Sequence, residues 1–239
     1  IHPLQTESVC WIKSADDVLC VFFGLSGLLA LISGIRRESA FRLMLSFLFL
    51  MLSLLSKESG FFLVLIYAFY LFSELKKNKY RYLSLLFTIS LAYLVIRTLV
   101  LGRLSQVEPL TGNWFTTQLG MSAIYLEYLL KSLIPAYQHV NYMGFSPFDL
   151  YTPFELAGLW AVLVFLTVLC YKRNPEIKTW ISFLVISLLP VSNLVPMMQW
   201  GAERFWYFPM VFMVIIISIF LSRFKKNYWV ALFFIFYLS

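Results

Sequence analysis

Charge is what this sequence has least of. Only 13% of its 239 residues are charged and 61% are hydrophobic, against about 25% and 45–50% in an ordinary soluble domain. A water-soluble globular domain is thereby excluded. Cysteine and histidine are scarce as well. Three cysteines (Cys10, Cys20 and Cys170) and two histidines, with no CxxC and no Cys/His cluster, leave neither a zinc-type centre nor a disulfide framework. The thiols read as packing groups, with an extracytoplasmic Cys10–Cys20 bridge as the alternative. No nucleic-acid motif is present, and the basic residues are too dispersed to form a binding stripe. Linkers, low-complexity tracts and clear internal repeats are missing too, so 1–239 reads as a single transmembrane domain. An initial Met and a signal-peptide pattern are also lacking, and an apolar run is still open at Ser239. The expectation is a fragment truncated at both ends.

What is abundant is continuous apolar sequence. Runs at 18–34, 39–56, 59–73, 83–101, 154–171, 179–194, 207–222 and 228–239 reach or approach the ~20 residues needed to cross a bilayer as a helix. They are continuous rather than alternating, which argues against strands. The predicted fold is therefore all-α, a polytopic membrane bundle of about eight transmembrane helices. The connections at every second position hold thirteen basic and three acidic residues, whereas the rest of the chain holds six and nine. The positive-inside rule places the basic set in the cytoplasm, where it also meets anionic lipid.

Residues 1–17, the Lys57–Glu58 break, the segment 102–153 and the Glu203–Arg204 loop then face the other side. Within 102–153, "LGMSAIYLEYLLKSLI" (119–134) has helical period, with Glu127 and Lys131 one turn apart. It is predicted as an interfacial or re-entrant helix, because a ninth crossing would move Lys172 and Arg173 outside. The aromatic stretch that follows suits a lid, a groove wall or a simple interfacial loop.

Several charged positions are costly unless something uses them. In "IHPLQTESVCWIKSADDV", Glu7 and Trp11 share a face if the segment is one helix, an arrangement suited to a sugar. A capped, solvated helix start with Asp16 and Asp17 near its N-terminus is the plainer alternative. "LLSKESGF" places Lys57 and Glu58 at the outer surface, within reach of a lipid headgroup, or as a tight hairpin with a snorkelling Lys. Arg97 lies deep in 83–101 and needs a partner or a polar cavity, and Arg103 is a flanking anchor. Glu203 and Arg204 stand together in "QWGAERFWYFP", lining a site or forming a self-satisfied pair. Carboxylates of this kind serve as general bases or hold a divalent cation such as Mg or Mn. Arg and Lys clamp phosphate.

The wording of these segments resembles a known family. "HPLQTESVCWIKSADDVL", "LLSKESGFFLVL", "YLEYLLKSLIPAYQHVNY" and "LLPVSNLVPMMQWGAERFWYFP" are similar, in order, to four motifs of the polytopic GT-C glycosyltransferases. The transmembrane and tetratricopeptide-repeat O-mannosyltransferases are among them, together with their bacterial relatives. The resemblance implies a GT-C-like fold and transfer of a mannose-like sugar from a polyprenyl-phosphate donor to a protein or glycan acceptor outside the cytoplasm. Catalytic roles fall by resemblance on Glu58 and Asp17, donor-phosphate binding on Lys57, Arg204 and Arg97, and sugar or acceptor binding on His2, Glu7, Trp11 and Glu203. The motif's Arg is replaced here by Ala15, and the family's first acidic loop would lie upstream of Ile1, the expected source of the general base. Tetratricopeptide repeats, if present, would follow Ser239. The membrane would be a plasma membrane, or the endoplasmic reticulum in a eukaryote. A transporter or lipid flippase is the rival reading.

Overall fold

The computed structural model describes residues 3–74, 79–101, 111–133, 152–194 and 201–222. Among these residues the structure is helical and contains no strand. The helices are α1 (Thr6–Cys10), α2 (Ala15–Arg36), α3 (Ala40–Ser56), α4 (Phe61–Glu74), α5 (Lys79–Leu101), α6 (Trp114–Leu133), α7 (Pro153–Arg173), α8 (Pro175–Leu188) and α9 (Tyr207–Leu221). Short 3-10 turns stand at Pro3–Gln5, Ile12–Ser14, Glu58–Gly60, Leu189–Val191 and Glu203–Trp206. The predicted run 228–239, the residues 134–151, His2 and Arg103 lie outside the described residues.

Three helical stretches, Ile12–Arg36, Lys79–Val100 and Glu203–Leu221, are long and apolar enough to cross a membrane. They mark the chain as a membrane protein. α4 and α8 have 14 residues each, about 21 Å of helix at ~1.5 Å per residue, which falls short of a ~30 Å hydrocarbon core. Apolar composition drew the longer expected runs, while Lys57–Gly60 and the Leu189–Val191 turn cut the helices back.

The chain is organised as two compact units, Ser8–Val107 and Ile1–Glu7 with Glu108–Ser239. In the first, α2 and α3 form a hairpin turned at Arg37–Ser39. Glu38 takes φ 49° there, and the Ser39 side chain accepts the Arg42 N–H. The buried positions of α2 recur every three or four residues (Asp17, Cys20, Val21, Gly24, Gly27, Leu28, Leu31, Gly34) and make one stripe. Gly27 lets backbones approach, because a Cβ there would fall on the Tyr67 hydroxyl and lie 3.1 Å from the Ser46 carbonyl. Small residues let apolar helices approach closely in this way. Leu50, Leu54, Leu63, Ile66 and Leu71 complete a dry core. The Ser53 hydroxyl donates to the Cys20 carbonyl at 2.7 Å.

The second unit is centred on α6, α8 and α9. Met121, Ile124 and Tyr128 of α6 pack with Leu4, Trp206, Met210 and Met213, while Ala123 and Leu126 pack on Leu156 of α7. α6 is thus buried on two faces, and it contains residues 119–133 of the helix expected to be interfacial or re-entrant. The helix also starts earlier, at Trp114, where the Asn113 side chain accepts the Phe115 N–H. Trp180, Phe183, Phe208 and Phe212 form a chain of ring contacts joining α8 to α9. Thr152 and Glu155 cap α7 reciprocally: the carboxylate accepts the Thr152 N–H at 2.8 Å, and the Thr152 hydroxyl accepts the Glu155 N–H at 3.3 Å.

Candidate functional site

The charges singled out in the sequence form ion pairs within each unit. In the first, α3 ends at Ser56 and Lys57 takes an extended conformation (φ −157°, ψ 145°) before the Glu58–Gly60 turn starts α4. Gly60 permits this tight return, since a Cβ would sit 3.0 Å from the Ser53 carbonyl and 3.2 Å from Cys20 Sγ. The Lys57 ammonium reaches the first turn of α2, lying 2.5 Å from Asp17 Oδ2 and 3.3 Å from Asp16 Oδ2. Asp16 also accepts the Asp17 N–H at 2.8 Å, so both acids stabilise the helix start as well as the cation. Asp17 is buried, and Asp16 is partly open.

The next residue behaves differently. Glu58 is 64% exposed in its side chain and meets Arg97 of α5 at 3.3 Å. Arg97 Nη1 also donates to the Tyr93 hydroxyl at 3.3 Å. An exposed pair at that distance is weakly held, worth about 0–1 kcal/mol. The cation deep in an apolar helix is thus partnered from the loop and from its own helix one turn back.

In the second unit, the Glu7 carboxylate binds both the backbone N–H of Arg204, at 3.0 Å, and its guanidinium. The pair spans 197 positions and ties the N-terminal segment to the Glu203–Trp206 turn. Arg204 also lies over the Phe205 ring, 5.3 Å from its centroid. Arg204 is therefore paired to Glu7, while Glu203, its neighbour in sequence, is buried in the turn. Tyr128 of α6 fixes that turn from the other side. Its hydroxyl accepts the Ala202 N–H at 2.9 Å and donates to the Ala202 carbonyl at 2.8 Å. Its ring stacks on Trp206 at 5.4 Å. Gly201 admits the hydroxyl, which would lie 2.5 Å from a Cβ there. Lys131 and Glu127 pair one helical turn apart at 3.4 Å, with the lysine buried.

Trp11 does not extend the helix that carries Glu7. α1 ends at Cys10, and Trp11 is extended (φ −89°, ψ 116°) and exposed. The expectation of a shared helical face is therefore corrected. The short Ile12–Ser14 turn breaks the segment before α2 begins. His2 lies outside the described residues. Among the described residues no group of three or more His, Cys, Asp or Glu is placed to hold a metal ion. Gln5 and Tyr128 carried no role in the sequence reading, and Trp206 entered it only as an aromatic anchor beside Glu203–Arg204; all three are buried. Their signal was only that of polar groups inside apolar wording. No family model matches this chain, and no curated protein or solved structure matches it either.

Proposed function

We propose that this chain belongs to a membrane-embedded, inverting GT-C-type glycosyltransferase that moves a mannose-like sugar from a polyprenyl-phosphate donor to a protein or glycan acceptor on the extracytoplasmic side. The observation that carries the reading is the pairing of motif residues across long sequence separations. Glu7 of "HPLQTE" meets Arg204 of "AERFWYFP", and Asp17 of "ADDV" meets Lys57 of "SKESG". Charges are expensive at membrane depth, and pairs of this kind mark places where a polar reaction is served.

Within the proposal, Arg97 and Glu58 carry the chemistry most naturally. Their pair is loose and Glu58 is open to solvent. A donor phosphate taking the Arg97 guanidinium releases the Glu58 carboxylate, which, in place of the base expected upstream of Ile1, then accepts the proton of the acceptor hydroxyl as that oxygen forms the glycosidic bond. The lipid phosphate leaves with the electron pair of the broken C1–O bond, its charge met by Arg97. Lys57 is engaged by two carboxylates and serves to fix the turn that presents Glu58. The eight-crossing topology with basic loops in the cytoplasm is part of the same proposal.

The test uses the full chain in liposomes supplied with radiolabelled polyprenyl-phosphate mannose and peptide or glycan acceptors. Labelled covalent product is expected. Arg97→Ala and Glu58→Gln should each lower transfer at least a hundredfold while leaving membrane insertion at the wild-type level, because a long pair with one partner open to solvent adds little to folding. Wild-type rates in both variants would remove these residues from the mechanism. Movement of donor across the bilayer without covalent product would favour a flippase.

A further inference from the structure

Pro3–Gln5 and Glu203–Trp206 pack on one another in the second unit, and each carries polar atoms that bond to nothing. Gln5 is buried, with neither its amide oxygen nor its amide nitrogen partnered, and Trp206 is wholly buried with its indole N–H unpartnered. Sealed donors and acceptors of this kind are rare in folded proteins and cost free energy until something satisfies them. The Trp206 ring is stacked on Tyr128, which is itself bonded to Ala202 at both donor and acceptor. Rotation to find a partner is therefore opposed.

We infer that these two turns form a binding site for a neutral, hydroxyl-bearing ligand of monosaccharide class, with the Gln5 amide and the Trp206 indole N–H as its polar contacts. One amide supplies two donors and an acceptor, and the indole supplies a further donor. Vicinal hydroxyls offer the complementary groups. The charge pattern argues against an anion. The guanidinium of Arg204 is already compensated by Glu7, and the other ionisable group of the two turns, Glu203, contributes no positive charge. A phosphate gains nothing there that a sugar does not gain better. The site is closed in this structure, so a ligand enters by parting the turns, and the Glu7–Arg204 bond is the tie that reseals them. The inference rests on the glycosyl-transfer reading only for its choice of sugar.

The experiment titrates the full chain, in nanodiscs free of glycoside detergent, with methyl α-mannoside and separately with inorganic phosphate. Wild-type protein is expected to bind the mannoside at millimolar concentration or below and not to bind phosphate. The indole N–H resonance of Trp206, assigned with Trp206→Phe, should shift on binding. Gln5→Leu and Gln5→Met should each weaken binding about tenfold, as loss of one hydrogen bond predicts, while the unliganded melting temperature stays at or above wild type. The opposite pattern, a lower melting temperature with unchanged affinity, would mean that the amide bonds within the fold or to trapped water, and would overturn the site. Absence of mannoside binding, or displacement of it by phosphate, would overturn it equally. Because label transfer is read through Arg97 and Glu58, either result leaves the proposed reaction to be judged on its own test.

Discussion

The bond between Glu7 and Arg204 shows how one residue can hold a segment that the backbone alone would leave loose. α1 has only five residues, too few to be stable by itself. Its carboxylate, 3% exposed, takes both the main-chain N–H and the guanidinium of a residue 197 positions away. Removing one partner of such a pair strands the other charge in an apolar setting, at a cost of about 3–5 kcal/mol. Glu7→Ala is therefore expected to destabilise the protein by about that amount, measured by thermal or denaturant unfolding in a fixed micelle. Glu7→Ala combined with Arg204→Ala should recover much of the loss, since neither member of the pair is then left without the other. Strict additivity of the two single losses would show that the pair is not coupled. The pairing was not legible in the sequence. Spacing shows which residues share a helical face, whereas a partner so far along the chain is found only once the fold is known. The adjacent Glu203–Arg204 offered two readings, a site lining or a self-satisfied pair, and neither pointed to Glu7 as the partner that Arg204 meets beside the buried Glu203.

Apolar runs located the helices well because continuous hydrophobicity is a signal of the whole element, and α2, α3, α5, α7 and α9 fall where those runs lie. Ends were less legible. α2 has 22 residues and α4 only 14, although α4 is the more apolar, and the break at Lys57–Gly60 sets where α4 begins. What composition also hides is how closely elements approach. α2 meets α3 and α4 through Gly27, beside the Tyr67 hydroxyl, which in turn takes a hydrogen bond from Ser46 at 3.4 Å. One added methyl group has no room there. Gly27→Ala is expected to lower stability by about 1–3 kcal/mol through overpacking. Adding Tyr67→Phe should restore more than half of the loss by removing the oxygen that the methyl meets. A thermal-shift series of the two single variants and the double variant decides it. No rescue would mean that α3 itself, through Phe49 Cβ at 3.0 Å and the Ser46 carbonyl at 3.1 Å, limits the approach rather than the tyrosine.

At the scale of the whole molecule the proposed topology rests on charge segregation. In the eight-crossing arrangement proposed above, thirteen of the nineteen basic residues lie on alternate connections, where only three of the twelve acidic residues accompany them. Orientation by positive loops follows from the cost of moving such loops across the membrane, and acidic residues contribute little to it. The turn at Arg37–Ser39 belongs to the basic set, whereas the N-terminal segment through Cys10 belongs to the other. Cys10 is exposed and Cys20 is buried, which makes the chain its own probe. With Cys170→Ser as background, a membrane-impermeant maleimide added to intact cells should label Cys10 and leave Cys20 unmodified. Glu38→Cys in the Cys10→Ser, Cys170→Ser background should label only after the cells are opened, because its turn is exposed on the basic side. If Glu38→Cys labels in intact cells and Cys10 does not, the orientation is inverted, and Glu58, on the same side as Cys10 in the proposed topology, would face the cytoplasm. An extracytoplasmic transfer reaction would then be impossible at that carboxylate, and the reaction proposed for Arg97 and Glu58 would fall with the topology.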